Sequence, residues 1–357
     1  MGLDLHKLFI DVFHPQAGEQ VLVMTDAPRD EQTDNELWAE RREMATQWHA
    51  AFESLGQRIG FGMLPLVTYP AVGSHNGNLP LHQGAPIPLE SALFQATLTV
   101  ALTEFSATAP MVAWAKAHDD FRAATLPTVA RRMEETALAA DYADVARRCR
   151  EIAAALEDAE RARVLFSTGH EWTVDLRHRD VKMDDGQLPR HKPGVPVINL
   201  PSGESFQVPY EGERTGEPSR TEGEIPVPQN GEIVVFVVKE NRIVSVRGNG
   251  PEAAELGALF EVDPARRNIA EFALGCNPKA VVWGNVLEDE KAGFHWAYGR
   301  SEHLGGTVGP EDFLAPEHIV HQDIVYASDS PIQVASLMLF YPEGEDRELI
   351  RDGQYLI

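Results

Sequence analysis

Residues 20–25 (QVLVMT) form an apolar run of strand length, followed by a polar turn and a helical pattern from Glu31 to about Leu55. Residues 58–68 (RIGFGMLPLVT) and 97–104 (TLTVALTE) read as two further strand regions. Helical spacing follows near 109–118 and 126–133, then over a long Ala-, Glu- and Arg-rich stretch at 135–163. Strands alternating with helices in this rhythm predict a Rossmann-like α/β layer with a mainly parallel sheet. The turn after the first strand, Thr25-Asp26-Ala27-Pro28-Arg29, holds no glycine, which argues against a dinucleotide fingerprint there.

The pattern changes after Arg163. Residues 164–230 carry short β-like runs (VLFSTG, WTVDLRH) among many Gly, Pro and acidic positions. The stretch 231–250 alternates strongly around Glu240-Asn241 and predicts a β-hairpin. A helix is expected over 251–260, and strand-like runs recur near 334–341 and 354–357. The reading is therefore an α/β domain at 1–163 and a β-rich α+β domain at 164–357. Gly248-Asn249-Gly250 reads as a turn rather than a phosphate loop.

Charge narrows the partners. The 357 residues include 31 Lys and Arg against 55 Asp and Glu, a net charge of −24. A polyanion partner needs a basic footprint, so neither nucleic acid nor an anionic membrane surface is expected. Two cysteines, Cys149 and Cys276, are too few for a disulfide framework, and no CxxC is present. The start, MGLDLHKLFIDVFHPQ, lacks the pattern of a signal peptide, and no run approaches the ~18 apolar residues of a membrane span. The expectation is a soluble cytoplasmic protein.

Candidate chemistry gathers in the second half. In His321-Gln322-Asp323 an imidazole and a carboxylate share one face if the segment is a strand, about 6.6–6.8 Å apart, close enough to converge on one ion. His318, at an odd offset, faces the other way. His295 stands between large apolar residues in GFHWAYG, and Glu271 interrupts the apolar IAEFALG; buried ionisable groups of this kind are paired or bind metal. Glu204 follows the Pro201-Ser202-Gly203 turn. Each signal has a plain structural alternative: an edge ion pair, a satisfied core histidine, a surface glutamate. Together they make an oxygen and nitrogen donor set suited to zinc, manganese or cobalt, and five donors suit a pair of ions. Elsewhere, His170-Glu171 is not part of an HExxH, and no GxSxG, GxxxxGKS or EF-hand loop is present. His75 and His82 lie in a Gly/Pro-rich loop, and Cys276 reads as a small core residue.

The order NLPSGESF, NIAEFALGCNP, EDEKAGFHWAYGR and HQD resembles the C-terminal half of the thermophilic-type metallo-aminopeptidases, the aminopeptidase T, aminopeptidase S and PepS family. The likeness is strong over about 164–326; the N-terminal half shares the α/β pattern and a Thr-Leu-Pro segment. It implies metal ligation by Glu204, Glu271, His295, His321 and Asp323, with two divalent ions (Zn, Co or Mn) per chain and a homodimer. It implies hydrolysis of a small peptide or amide by metal-activated water, Glu204 or Glu271 bridging the ions or taking the proton. Those peptidases carry a Tyr seven residues beyond the third ligand; here that position is Glu302. If Glu302 faces the metals, it takes part in catalysis and favours a cationic ligand; otherwise it pairs with Arg300 or His303 at the surface. The 2,5-dihydroxypyridine 5,6-dioxygenases resemble the same fold more distantly, and imply one Fe(II) held by two His and one Asp. Their final His-x-Asp matches His321 and Asp323, but their first His falls at Glu271, and they lack counterparts of Glu204 and His295. The expected function is a metallo-aminopeptidase-type hydrolase, with the ring-cleaving dioxygenase as the alternative.

Overall fold

Asp4 caps the first helix, α1 (Leu5–Phe13), by accepting the Lys7 N–H at 3.1 Å, and the chain then enters the first strand, β1 (Gln20–Ala27). The structure is a computed structural model that describes residues 3–29 and 33–357. Asn35 caps α2 (Glu36–Ile59), which ends at Gly60 in the left-handed region. The helical pattern expected from Glu31 therefore begins partly outside the described residues. α2 also runs past Arg58, where a strand was expected, because its apolar stripe (Trp48, Phe52, Leu55) continues until Gly60 stops it. The strands that follow are short, β2 (Gly62–Met63) and β3 (Val67–Pro70).

After α3 (Leu89–Gln95) come β4 (Leu98–Thr103), α4 (Thr108–Ala117) and β5 (Arg122–Pro127). The helix expected over 126–133 does not form: β5, with Ala123–Leu126 buried, runs to Pro127, and only a short turn at Arg131–Glu134 follows. Next, α5 (Tyr142–Leu156) stops short of 163, and β6 (Arg161–Phe166) takes over with strict alternation of exposed and buried positions. The composition shift at Arg163 thus falls inside a strand.

The chain continues through β7 (Glu171–Asp175) and β8 (Lys182–Asp184) to β9 (Val197–Asn199), which pairs with β5. Sheet one has the order β2-β1-β4-β5-β9, with β3 also on β1, and its pairings are parallel. The mainly parallel α/β layer is as expected.

Antiparallel strands dominate the rest: β10 (Glu204–Gln207), β11 (Glu222–Gln229), β12 (Glu232–Lys239) and β13 (Arg242–Arg247). Glu240 and Asn241 both adopt positive φ at the β12–β13 turn, the hairpin the sequence predicts. After α6 (Pro251–Val262) come β14 (Ile269–Gly275), α7 (Val286–Asp289), β15 (Phe294–Gly299) and β16 (His321–Tyr326). The chain finishes with β17 (Val334–Phe340), β18 (Arg347–Arg351) and β19 (Gln354–Tyr355). Two sheets result, β16-β15-β14-β10-β8 and β13-β12-β11-β7-β6-β17-β18-β19.

The chain forms two compact units, each assembled from separate segments: Met1–Ala146 with Asp184–Gly203 and Asn277–Lys291, and Arg147–Met183 with Glu204–Cys276 and Ala292–Ile357. Inside the second unit aromatic rings fill the space between its sheets. Trp172 lies 6.1 Å from Phe272 and 5.9 Å from Trp296, and Phe236 lies 5.7 Å from Trp296.

Candidate metal centre

The register of the β10-β14-β15-β16 ladder decides which side chains meet. Glu271 and Asp323 both pair with Ala297, Ala273 and Val325 both pair with His295, and His321 pairs with Gly299. On the other side Glu204 pairs with Gly275. Because side chains alternate along a strand, Glu204, Glu271, His295, His321 and Asp323 all project from one face. The positions between them are small: Ala273, Gly275, Ala297 and Gly299. Gly299 is required, since its φ is +106° and a Cβ there would lie 2.2 Å from the Val320 carbonyl oxygen. The reverse face carries Phe272, Leu274, Phe294, Trp296 and Tyr298, the aromatic core. Tyr298, three residues from His295 and so on the opposite face of the strand, packs 5.1 Å from the Phe260 ring.

Two donor clusters form on the ligand face: Glu204, Glu271 and His295, and then Glu271, His321 and Asp323, the donor atoms of each lying within 4.8 Å of one another. Glu271 belongs to both. His295 is 1% exposed; its Nδ1 is 3.2 Å from the Gly293 carbonyl and its Nε2 is 3.4 Å from Glu204 Oε2. A carbonyl only accepts, so Nδ1 carries the proton and Nε2 turns a lone pair toward a carboxylate. The same arrangement recurs at His321, with Nδ1 2.7 Å from the Arg300 carbonyl and Nε2 2.9 Å from Glu271 and 3.4 Å from Asp323. A lone pair facing an anion at this distance requires a cation between them, a proton or a metal ion. Burial alone would push both imidazoles down. For His295, Glu204 and then Glu271 and Asp323 outweigh it and hold the ring up at about 9. For His321, Asp323 and Glu271 raise it well above the ordinary histidine value. The donor chemistry and the outward-turned Nε2 atoms fit divalent ions, each imidazole oriented by a backbone carbonyl as metal-binding histidines commonly are.

Residues the sequence did not single out hold the segment after β15. The buried Glu211 carboxylate accepts hydrogen bonds from Ser301 Oγ (2.5 Å), Asn268 Nδ2 (2.8 Å), Thr307 N–H (2.6 Å) and Thr307 Oγ (2.8 Å). Arg300 N–H donates to Val320 at 2.7 Å, which sets the carbonyl that His321 uses. Glu211 sits in an ordinary-looking polar loop, so no local sequence signal marks it. His303 places its ring edge-on to His321 with centroids 5.0 Å apart. Glu302, by contrast, is exposed and ion-paired to Arg300 at 2.7 Å, the surface arrangement of the two that were expected; it joins neither donor cluster. His318 pairs with Asp263 at 3.1 Å, and His75 and His82 lie in the 71–88 loop as expected.

Residues 98–314 match the thermophilic metalloprotease (M29) model, well over half of the chain. The chain belongs to the thermophilic metalloprotease family. The match takes in Glu204, Glu271 and His295 and stops short of His321 and Asp323. Membership makes the protein a metal-dependent hydrolase with a peptide substrate. Among solved structures it is similar to wild-type AmpT from Thermus thermophilus, at 16% identity and a TM-score of 0.60, over 99% of this chain and 98% of that one. It is also similar to a 2,5-dihydroxypyridine dioxygenase from Pseudomonas putida KT2440, at 16% identity and a TM-score of 0.64, over 99% and 96%. At such identities both likenesses establish the fold alone. No curated protein matches the chain in sequence. No helix among the described residues is long and apolar enough to cross a membrane.

Proposed function

We propose that this metalloprotease is an aminopeptidase-type hydrolase that uses two divalent ions, zinc, cobalt or manganese, to cleave a short peptide or a related amide. The observation that carries the reading is the shared carboxylate: Glu271 lies in both donor clusters, with Glu204 and His295 on one side and His321 and Asp323 on the other. Divalent ions held there supply Lewis-acid polarisation of the scissile carbonyl and acidify water. Glu271, common to both clusters, would be the carboxylate available to both ions. Glu204, with one histidine partner and a place at the start of β10, is the group positioned to take a proton and return it to the leaving amine. The carbonyls of Gly293 and Arg300 keep His295 and His321 in the tautomer that presents Nε2. The family resemblance supports a homodimer, and the net charge of −24 speaks against nucleic acid or membrane partners.

Metal analysis with aminoacyl-nitroanilide turnover, run with and without O₂, tests the proposal. Two ions per chain and oxygen-independent turnover are expected. One iron per chain with O₂ uptake on a dihydroxypyridine would overturn it in favour of the dioxygenase chemistry. Glu271 argues against that outcome, since it stands beside His321 as a carboxylate where the dioxygenase resemblance places a histidine.

A further inference from the structure

We infer that Cys149 and Cys276 form a site of reversible oxidative modification, closing an intramolecular disulfide when the protein meets a peroxide. Their Sγ atoms lie 3.5 Å apart across 127 residues of sequence, and neither is in a disulfide. Closing that gap to the ~2.05 Å of a disulfide is a displacement of about 1.5 Å. Cys149 is 0% exposed and Cys276 4% exposed, so a small oxidant reaches Cys276 first. The Cys276 thiolate attacks one peroxide oxygen and the O–O bond breaks, giving a sulfenic acid and hydroxide. The Cys149 thiolate then attacks that sulfur and expels the second hydroxide. Two thiols lose two electrons and two protons, and the peroxide becomes two molecules of water. No third cysteine exists to compete for the sulfenic acid.

The placement gives the bond a consequence. Cys149 lies on α5, and its carbonyl accepts the Ser205 hydroxyl at 2.8 Å, one residue from Glu204. Cys276 follows Gly275, the residue paired with Glu204 across the β10–β14 ladder. Tyr355 of β19 donates to the Gly275 carbonyl at 2.7 Å on the same spot. A crosslink between Cys149 and Cys276 therefore shifts both elements that position Glu204. That second effect rests on the metal reading above; the crosslink does not.

Intact mass spectrometry after hydrogen peroxide treatment of the full chain decides the first claim. A loss of 2 Da, reversed by dithiothreitol and absent in Cys149→Ser and in Cys276→Ala, is expected. Gain of oxygen on Cys276, a disulfide-linked dimer, or two unmodified thiols in folded protein while the unfolded chain is oxidised would each overturn it. Titration with Co²⁺, followed by its visible absorption, decides the second: affinity in the oxidised protein should fall about 10–100-fold, the range seen when groups supporting a ligand are disturbed. Unchanged affinity in fully crosslinked protein would remove the coupling to Glu204 and leave the modification site standing.

Discussion

Glu271 and Asp323 sit on strands that are not neighbours, yet each is paired with Ala297, so one methyl group lies between the two carboxylates. Strands are spaced about 4.8 Å apart, which puts these two backbones nearly 10 Å apart and leaves their side chains to meet above Ala297. Ala297→Leu should fill that space. Metal content should fall below one ion per chain and turnover at least 100-fold, while circular dichroism stays native. Full metal content in this variant would show that the ligands do not meet over position 297.

Because Glu271 is common to both clusters, the three ligand groups should fail differently. Glu271→Ala should lose both ions. His295→Ala should keep the ion at His321, whereas His321→Ala and Asp323→Ala should keep the one at His295. All four should lose activity by three orders of magnitude or more. Plasma emission metal counts on purified variants test the pattern, and an equal loss in all of them would count against two separable ions.

In metal-free protein the pH dependence of stability has a definite sign. The folded-state value of His295 is raised from 6.5 to about 9, the carboxylates outweighing burial. The protonated ring therefore adds stability that is fully present below pH 6.5 and is lost as pH rises toward 9. Thermal unfolding in the presence of chelator should show Tm falling across that window. His295→Gln should flatten the fall, and saturating Zn²⁺ should abolish it, because the ion replaces the proton. A Tm that rises with pH in chelator would contradict the arrangement.

Glu302 is exposed and ion-paired to its near neighbour Arg300. Glu302→Gln should change stability by no more than about 0.5 kcal/mol and turnover by less than threefold, as exposed pairs usually do. Chemical denaturation and nitroanilide kinetics measure both.

Glu211 is the opposite case, a buried carboxylate that accepts four hydrogen bonds from the 268 and 301–307 segments and a fifth from Arg179 at 3.3 Å. Glu211→Gln should destabilise by about 2–3 kcal/mol, since a charged acceptor becomes a mixed donor and acceptor. The loop carrying His303 should also loosen. Hydrogen exchange at Ser301 and Thr307 should then rise by at least tenfold.

The sequence made the donor-bearing strands legible because their apolar runs are long and interrupted by single ionisable residues: Glu271 in IAEFALG, and His295 in FHWAYG. The parallel layer was readable for the same reason, except around 126–133, where a helix was expected but the chain completes β5 at Pro127 and then makes only a short turn at Arg131–Glu134. Helix α2 overran its expected end because Gly60 and not the Gly-rich 60–62 segment as a whole marks the stop. Glu302 could not be assigned from spacing, because the turn at Glu302–Leu304 breaks the alternation that holds in β15. Glu211 was invisible for a different reason: its partners, Arg179, Asn268, Ser301 and Thr307, are 32 to 96 residues away and no local pattern encodes them.

The hairpin of β15 and β16 supplies His295, His321 and Asp323 by itself, but the carboxylate common to both donor groups arrives only with β14. A chain in which that central strand has not yet paired owns imidazoles and one acid, and no bridge between them. Tight ion uptake is therefore a late event in the maturation of the polypeptide, and bound metal reports a finished sheet rather than a collapsed one. In a nascent or heat-damaged population, the fraction of molecules that retain the ion counts those in which three neighbouring strands are in register.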